Sequence, residues 1–206
     1  MITLYSGTPG SGKSLHLASR LYYWMKNRNA PIIGNFACNF SSIKKPKGSY
    51  LYIDNAYLTP DRLYNFAKNY KEYLGRRVKE GEILLVIDDS QIMFNARDWG
   101  NKDRAEWCKF FQLHRHLGYE VILVAQFDRM LDRQVRSVIE YDWIHRKVSN
   151  FGNKGKFLAL LFGNRLFVAV KVWAPIKTKV GAEFFVAHKK YYQIYDSYGE
   201  FNSPHA

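Results

Sequence analysis

The chain has 206 residues, enough for one domain with a full core. Its 31 Lys and Arg against 18 Asp and Glu give a net charge of +13, which points to an anionic partner, nucleic acid or an acidic membrane surface, and leaves the fold open. Two widely separated cysteines, Cys38 and Cys108, and six histidines without ligand spacing exclude a disulfide scaffold and a sequence-encoded zinc site, and the thiols suit a reducing cytosol.

Residues 1–6 (MITLYS) form a short apolar run that predicts a strand. GTPGSGKS follows at 7–14, with the spacing glycine, four residues, glycine, lysine, serine. Glycines let a backbone wrap a phosphate chain with its amides turned inward. The lysine reaches the β and γ phosphates, and the serine hydroxyl completes a Mg²⁺ shell. Residues 15–25 (LHLASRLYYWM) carry apolar positions at helical spacing, so a helix N-terminus faces the anion. Gly7, Thr8, Pro9, Gly10, Ser11, Gly12, Lys13, Ser14 and Leu15 are therefore the candidate nucleotide grip. Lys13 and Arg20 interrupt the N-terminal apolar stretch, which excludes a secretory signal there.

Farther along, 31–36 (PIIGNF) and 50–53 read as short strands joined by a Ser/Lys-rich loop at 41–49. Thr59 and Pro60 read as an N-cap and first helical position, opening a helix to about Leu74. Ile83–Ile87 (ILLVI) is a continuous apolar run, as in a buried parallel strand, and ends in Asp88 and Asp89. The first carboxylate is placed to hold Mg²⁺ and the second to orient or deprotonate the attacking water. Residues 102–117 predict a helix closed by Gly118, 121–125 (VILVA) a second buried strand, and 128–139 a further helix. This alternation predicts a parallel sheet covered on both faces.

The last quarter differs. FLALLF, Gly163-Asn164 and RLFVAVKVW predict a β-hairpin extending the sheet, and its longest apolar stretch is too interrupted by Asn164, Arg165 and Lys171 to cross a membrane. From His145 to Lys190 there are ten Lys or Arg and one acid, Glu183, with aromatic residues between them. Such a stretch is either a solvated antiparallel extension or a surface for lipid head groups or nucleic acid. Gly100-Asn101-Lys102 looks like a guanine-reading signature, but its acid position is Arg104 and no apolar strand precedes it, so a GTPase is set aside.

IDDSQ, the NAR at 95–97, LHRHLGYEVILVAQ at 113–126 and LDRQVR at 131–136 resemble, in order and spacing, the zonula occludens toxin-like (Zot) family of filamentous-phage assembly ATPases. The resemblance covers about two thirds of the chain. It implies a RecA-like P-loop fold (mainly parallel, helices on both faces, with the antiparallel hairpin appended) over a core at 1–145 and an extension at 146–195. It implies a cytoplasmic ATP-hydrolysing domain with ATP and Mg²⁺ as cofactors, exchanging ATP and ADP and working as a homo-oligomeric ring at the host inner membrane. Coat proteins and single-stranded DNA are implied partners, and an anionic membrane surface would meet the basic C-terminal region. Residues 196–206 would be a tail ahead of a membrane anchor, and the toxin activity behind the family name would lie outside this stretch. By position, Lys13, Ser14 and Asp88 match the phosphate and magnesium residues, and Gln91 the glutamine after the acidic pair. Gln126 matches a strand-end γ-phosphate sensor. Arg97, Arg115 and Arg136 fall on family arginines, any one of which could be the finger a neighbouring subunit supplies. Asp89 stands where the family has glutamate, and Ser90 where it has alanine. Arg129 and Arg133 read as a solvated basic face, and His114 and His116 as packing or capping groups. Beside this motor stand a DNA translocase of the same superfamily and a nucleotide-gated scaffold that does not hydrolyse; a small-molecule kinase finds no acceptor pocket or lid in the sequence.

Overall fold

The computed structural model describes residues 1–95 and 101–195, with residues 101–103 described by backbone alone. In chain order the elements are β1 (Ile2–Ser6), α1 (Lys13–Asn27), β2 (Pro31–Gly34), β3 (Ser49–Tyr52), α2 (Pro60–Leu74), β4 (Ile83–Ile87), α3 (Ser90–Met93), α4 (Asn101–Leu113) and β5 (Tyr119–Val124). There follow a 3-10 turn (Asp128–Met130), α5 (Arg133–Ser137), β6 (Tyr141–Lys147), a second 3-10 turn (Val148–Asn150), α6 (Gly152–Leu161), β7 (Leu166–Trp173), β8 (Thr178–Val186) and α7 (Lys189–Tyr192).

One eight-stranded sheet runs β3-β2-β4-β5-β1-β6-β7-β8. Strands β3 to β6 in that order are parallel, and β7 and β8 are antiparallel additions. The apolar runs of β1, β4 and β5 are buried at every position because both faces are covered. Alternation along β4 divides the core. Ile83, Leu85 and Ile87 meet α2, α4 and α5 through Leu63, Phe110 and Val135. Leu84 and Val86 meet α1 and α7 through Leu17, Leu21 and Tyr191. Each fully buried Leu, Ile or Phe contributes about 1.5–3 kcal/mol, so the two layers hold the sheet ends rigidly where the loops leave it.

Helix α2 starts as its sequence dictates: Thr59 Oγ1 accepts from the Arg62 amide at 3.4 Å and Pro60 takes the first helical position. Helix α4 ends earlier than its pattern suggests, at Leu113, and turns carry the chain to Gly118. The single helix expected over 128–139 is broken at Leu131 and Asp132. Leu131 is buried and bridges to Asn95, while Asp132 caps α5 by accepting from the Gln134 amide at 2.8 Å.

The largest correction concerns the hairpin. Residues 157–162 belong to α6, and the hairpin forms one element later, from β7 and β8. A six-residue apolar run fits strand and buried helix alike. Gly163 (φ 59°) and Asn164 (φ 58°) close the helix instead of turning a hairpin, with their amides donating to Leu160 O at 3.0 Å and Ala159 O at 2.8 Å. Strand β6, YDWIHRK, has no apolar run or clean alternation, because Asp142 meets Ser6 Oγ and His145 the Ser6 carbonyl while Arg146 is exposed.

Candidate functional site

The site is assembled where β1, β4 and β5 end. Residues 7–12 leave β1, and Gly12 enters α1 at φ 96°. A Cβ on Gly7 (φ 144°) would come within 2.6 Å of Ser11 Oγ and 2.7 Å of His145 O, and one on Gly12 within 2.7 Å of the Phe167 ring. Conformation and space both require glycine at these two positions. The Gly7 amide donates to Gln126 O at 3.0 Å, tying the loop to the end of β5. The first turn of α1 has no acidic residue and no side-chain cap, so its amides remain available to an anion. Ser11 Oγ is buried without a hydrogen-bond partner among the described residues. A phosphate chain suits this cradle, since it brings acceptors to donors that the fold leaves unpaired.

Lys13 Nζ donates to Gly7 O at 2.6 Å and to Thr8 O at 3.2 Å. Burial lowers its ammonium below the ordinary lysine value, and Asp88 and Asp89 pull it back up. Asp88 is held by Asn35, which is not among the residues singled out from the sequence. Its amide donates to Asn35 Oδ1 at 2.7 Å, and Asn35 Nδ2 returns a bond to Asp88 O at 2.9 Å. Tyr195, near the other end of the chain, donates its hydroxyl to Asp88 Oδ2. Loss of water raises the Asp88 carboxyl, and the Tyr195 bond and the Asp89 amide oppose that. A hard divalent cation favours such a carboxylate, so Asp88 and the Ser14 hydroxyl are a donor set that fits Mg²⁺.

Asp89 is exposed and left-handed, φ 43° and ψ 42°, with Gln91 Nε2 donating to its Oδ1 at 2.9 Å. Ser90 is fully buried, and its hydroxyl donates to Val124 O at 2.8 Å, locking the acidic turn to β5. An alanine at this position, as in the pattern the sequence resembles, could not make that bond.

A cavity of about 720 Å³ opens beside the loop, with Gly7, Thr8, Gln126, Arg136, Asp142 and Phe151 in its wall. Arg136 thus borders its own chain's loop, and its Nε is buried without a partner among the described residues. Arg97 lies outside the described residues. Arg115 sits at the opposite end of the sheet, paired with Glu140 and, at 3.4 Å, with Glu80. Arg129 and Arg133 are exposed, while His114 packs against Phe111 O at 2.5 Å.

Beneath the loop lies a buried histidine pair absent from any sequence signal. His145 Nδ1 is 3.0 Å from Ser6 O, and His145 Nε2 is 2.8 Å from His16 Nδ1. Donation by His145 to Ser6 leaves its Nε2 an acceptor, so His16 donates and both rings are neutral. Burial pushes both well below the usual histidine range, as that arrangement requires. The pair fastens α1 to β6 directly under Gly7.

In the cavity wall Asp142 Oδ1 accepts from Ser6 Oγ at 2.7 Å, and burial raises its carboxyl to about 6. A carboxyl raised in the folded state supports folding while protonated, and that support is lost as pH rises through about 6. Asp142→Asn keeps the acceptor without the charge. It is expected to raise the unfolding free energy above pH 7 by about 2 kcal/mol, an advantage that shrinks as pH falls through 6 towards 4. Urea unfolding of both proteins at several pH values measures it, and a pH-independent difference refutes it.

A family model, zonular occludens toxin (Zot), matches residues 1–200. The "Gene 1 protein" of Salmonella phage IKe is 32% identical over 90 residues, 40% of this chain but 24% of that protein, so the likeness spans about a quarter of the relative's length. The N-terminal domain of zonular occludens toxin from Neisseria meningitidis has a TM-score of 0.58 at 19% identity, covering 95% of this chain and 98% of that one. The genome packaging NTPase B204 from Sulfolobus turreted icosahedral virus 2, solved with ATP-gammaS, has 0.54 at 14%, covering 91% and 97%. The last two share the P-loop ATPase fold with the sheet described above. With the family model spanning nearly the whole sequence, the chain belongs to the zonular occludens toxin (Zot) family.

Proposed function

We propose that the chain is an ATP-binding and ATP-hydrolysing motor domain for filamentous-phage assembly and DNA export at the cytoplasmic face of the host inner membrane. The observation that carries this is the meeting of the glycine-constrained loop at 7–12 with Lys13, Asp88 and Asp89 at adjoining strand ends. Loop amides and Lys13 hold the phosphates of ATP, with Pro9, Gly10 and Leu15 completing the wrap around Thr8, Ser11 and Ser14. Ser14 and Asp88 would hold Mg²⁺, which would supply charge neutralisation on the phosphate oxygens. Asp89 orients the attacking water and takes its proton as oxygen bonds to the γ-phosphorus and the bridging bond to ADP breaks. Gln126 senses the γ-phosphate. Arg136, bordering its own chain's loop, stabilises charge in cis, which leaves Arg97 as the finger supplied across a ring of identical subunits. The basic stretch after His145 meets the anionic surface, with coat protein and single-stranded DNA as the cargo side.

B204 is named as a genome packaging enzyme, and this likeness together with the +13 charge supports DNA translocation as the second reading. Hydrolysis measured against protein concentration, with and without single-stranded DNA and anionic vesicles, separates the readings. A steep rise in specific activity with concentration, and recovered turnover when Lys13→Ala and Arg97→Ala chains are mixed, is the expected result. Strict dependence on DNA favours the translocase. No Mg²⁺-dependent hydrolysis at any concentration leaves the non-hydrolysing scaffold.

A further inference from the structure

Helix α6 inverts the usual arrangement of a surface helix. Its buried positions are the small residues Gly155 and Ala159, while Phe157 (67%), Leu160 (68%) and Leu161 (67%) are the exposed ones. A Cβ on Gly155 would fall 2.3 Å from Val148 O and 2.8 Å from Phe151 Cβ, so the helix backbone is seated tightly on the preceding 3-10 turn. That seat fixes which face points outward. Leu158, Phe162 and Phe151 are also exposed, which makes the apolar surface contiguous. Scattered exposed leucines need no account, but a continuous patch of this kind marks a contact surface.

The surroundings identify the partner. Lys154 and Lys156 lie on the helix, Arg146 and Lys147 precede it and Arg165 follows, and no Asp or Glu occurs from 146 to 182. The Arg146 guanidinium lies 5.9 Å from the Phe151 ring, so charge and apolar surface are directly adjacent. Two copies of α6 packed on each other would bring these cations together with no acid in the stretch to answer them. A helix of 10 residues is about 15 Å long and too short to span a bilayer. No helix among the described residues is long and apolar enough to cross a membrane. An apolar helix face ringed by cations suits the boundary between acyl chains and anionic head groups.

We propose that α6 is an interfacial docking helix, inserting Phe157, Leu160 and Leu161 into an anionic lipid surface while Lys154, Lys156 and Arg165 engage its head groups. This deepens the membrane-facing part of the proposed function and rests on it only for where the domain works. Its consequence is that docking has an apolar component that salt alone does not remove, unlike attraction through Lys177, Lys179, Lys189 and Lys190.

The test is sedimentation of the full chain with vesicles of phosphatidylglycerol mixed with phosphatidylcholine, against phosphatidylcholine alone. Nucleotide hydrolysis is measured on the same samples. Wild type is expected to bind the anionic vesicles, with the residual binding at high salt carried by α6. The triple variant Phe157→Ser, Leu160→Ser, Leu161→Ser is expected to lose affinity by about 100-fold with hydrolysis unchanged. Leu160→Trp in an otherwise unaltered chain, read as the emission difference from wild type with its five native tryptophans, should show a blue-shifted component on anionic vesicles, a readout that survives if the triple variant folds poorly. Wild-type binding strength in the triple variant, an unshifted tryptophan, or no binding by wild type overturns the proposal. So does a dimer that the triple variant makes monomeric with vesicle binding intact, which would assign α6 to a second copy. Absent hydrolysis with α6-dependent binding retained sinks the motor reading and leaves the docking helix standing.

Discussion

Lys13→Ala is expected to lower Mg²⁺-dependent ATP turnover by at least about 100-fold, since Lys13 is the loop's own cation, its amine held against Gly7 O and Thr8 O where the proposed phosphates bind. The fold should survive. Lys13 is half-buried, and its bonds go to Gly7 O and Thr8 O, which belong to the loop and not to either core layer. The amine therefore does more than touch ligand, as the sequence alone implied: it also braces the loop it serves. Removing it costs about 1 kcal/mol of local hydrogen bonding and leaves the urea midpoint nearly in place. Unchanged turnover and nucleotide affinity in this variant would remove the nucleotide site from the molecule.

Asp89→Asn is the second large effect. Asp89 occupies the left-handed region, which asparagine adopts as readily as aspartate, so the turn and the Ser90 anchor beneath it persist. What disappears is the carboxylate proposed to take a proton from the attacking water. Hydrolysis should fall by about 100-fold or more while nucleotide affinity, set by the loop and Lys13, stays close to wild type. Asp89→Glu restores the residue typical of the family and is expected to keep or raise the rate. Normal turnover by Asp89→Asn places the base elsewhere and also removes the case for a slow scaffold.

The parts of the site legible in sequence are those whose geometry is local. Glycine spacing reports its own backbone, an apolar run ending in two acids reports a strand end, and Thr59-Pro60 reports a helix start. The parts that were not legible depend on which strands lie side by side. Asn35 reaches Asp88 only because β2 pairs with β4, and His16 reaches His145 only because β6 lies beside β1. A polar residue closing the apolar PIIG run was the available hint for Asn35; Tyr195 had none, since its position follows from α7 packing on α1. The misplaced hairpin has a different origin. FLALLF is apolar with only Ala159 buried, and an apolar run read as burial is assigned to a strand.

The register of β1 sets an order of events during synthesis. Ile2 pairs with Val121 and Thr3 with Tyr141, so the strand that launches the nucleotide loop has both neighbours far downstream. The loop leaves the ribosome well ahead of the strands that wall it. At about 5–20 residues per second the delay is on the order of ten seconds, a long time for an unpaired apolar strand to remain exposed. Non-local pairing of this kind also slows folding once the chain is complete. On the proposed function, a nascent chain would complete its nucleotide grip only once β5 and β6 have emerged to flank β1.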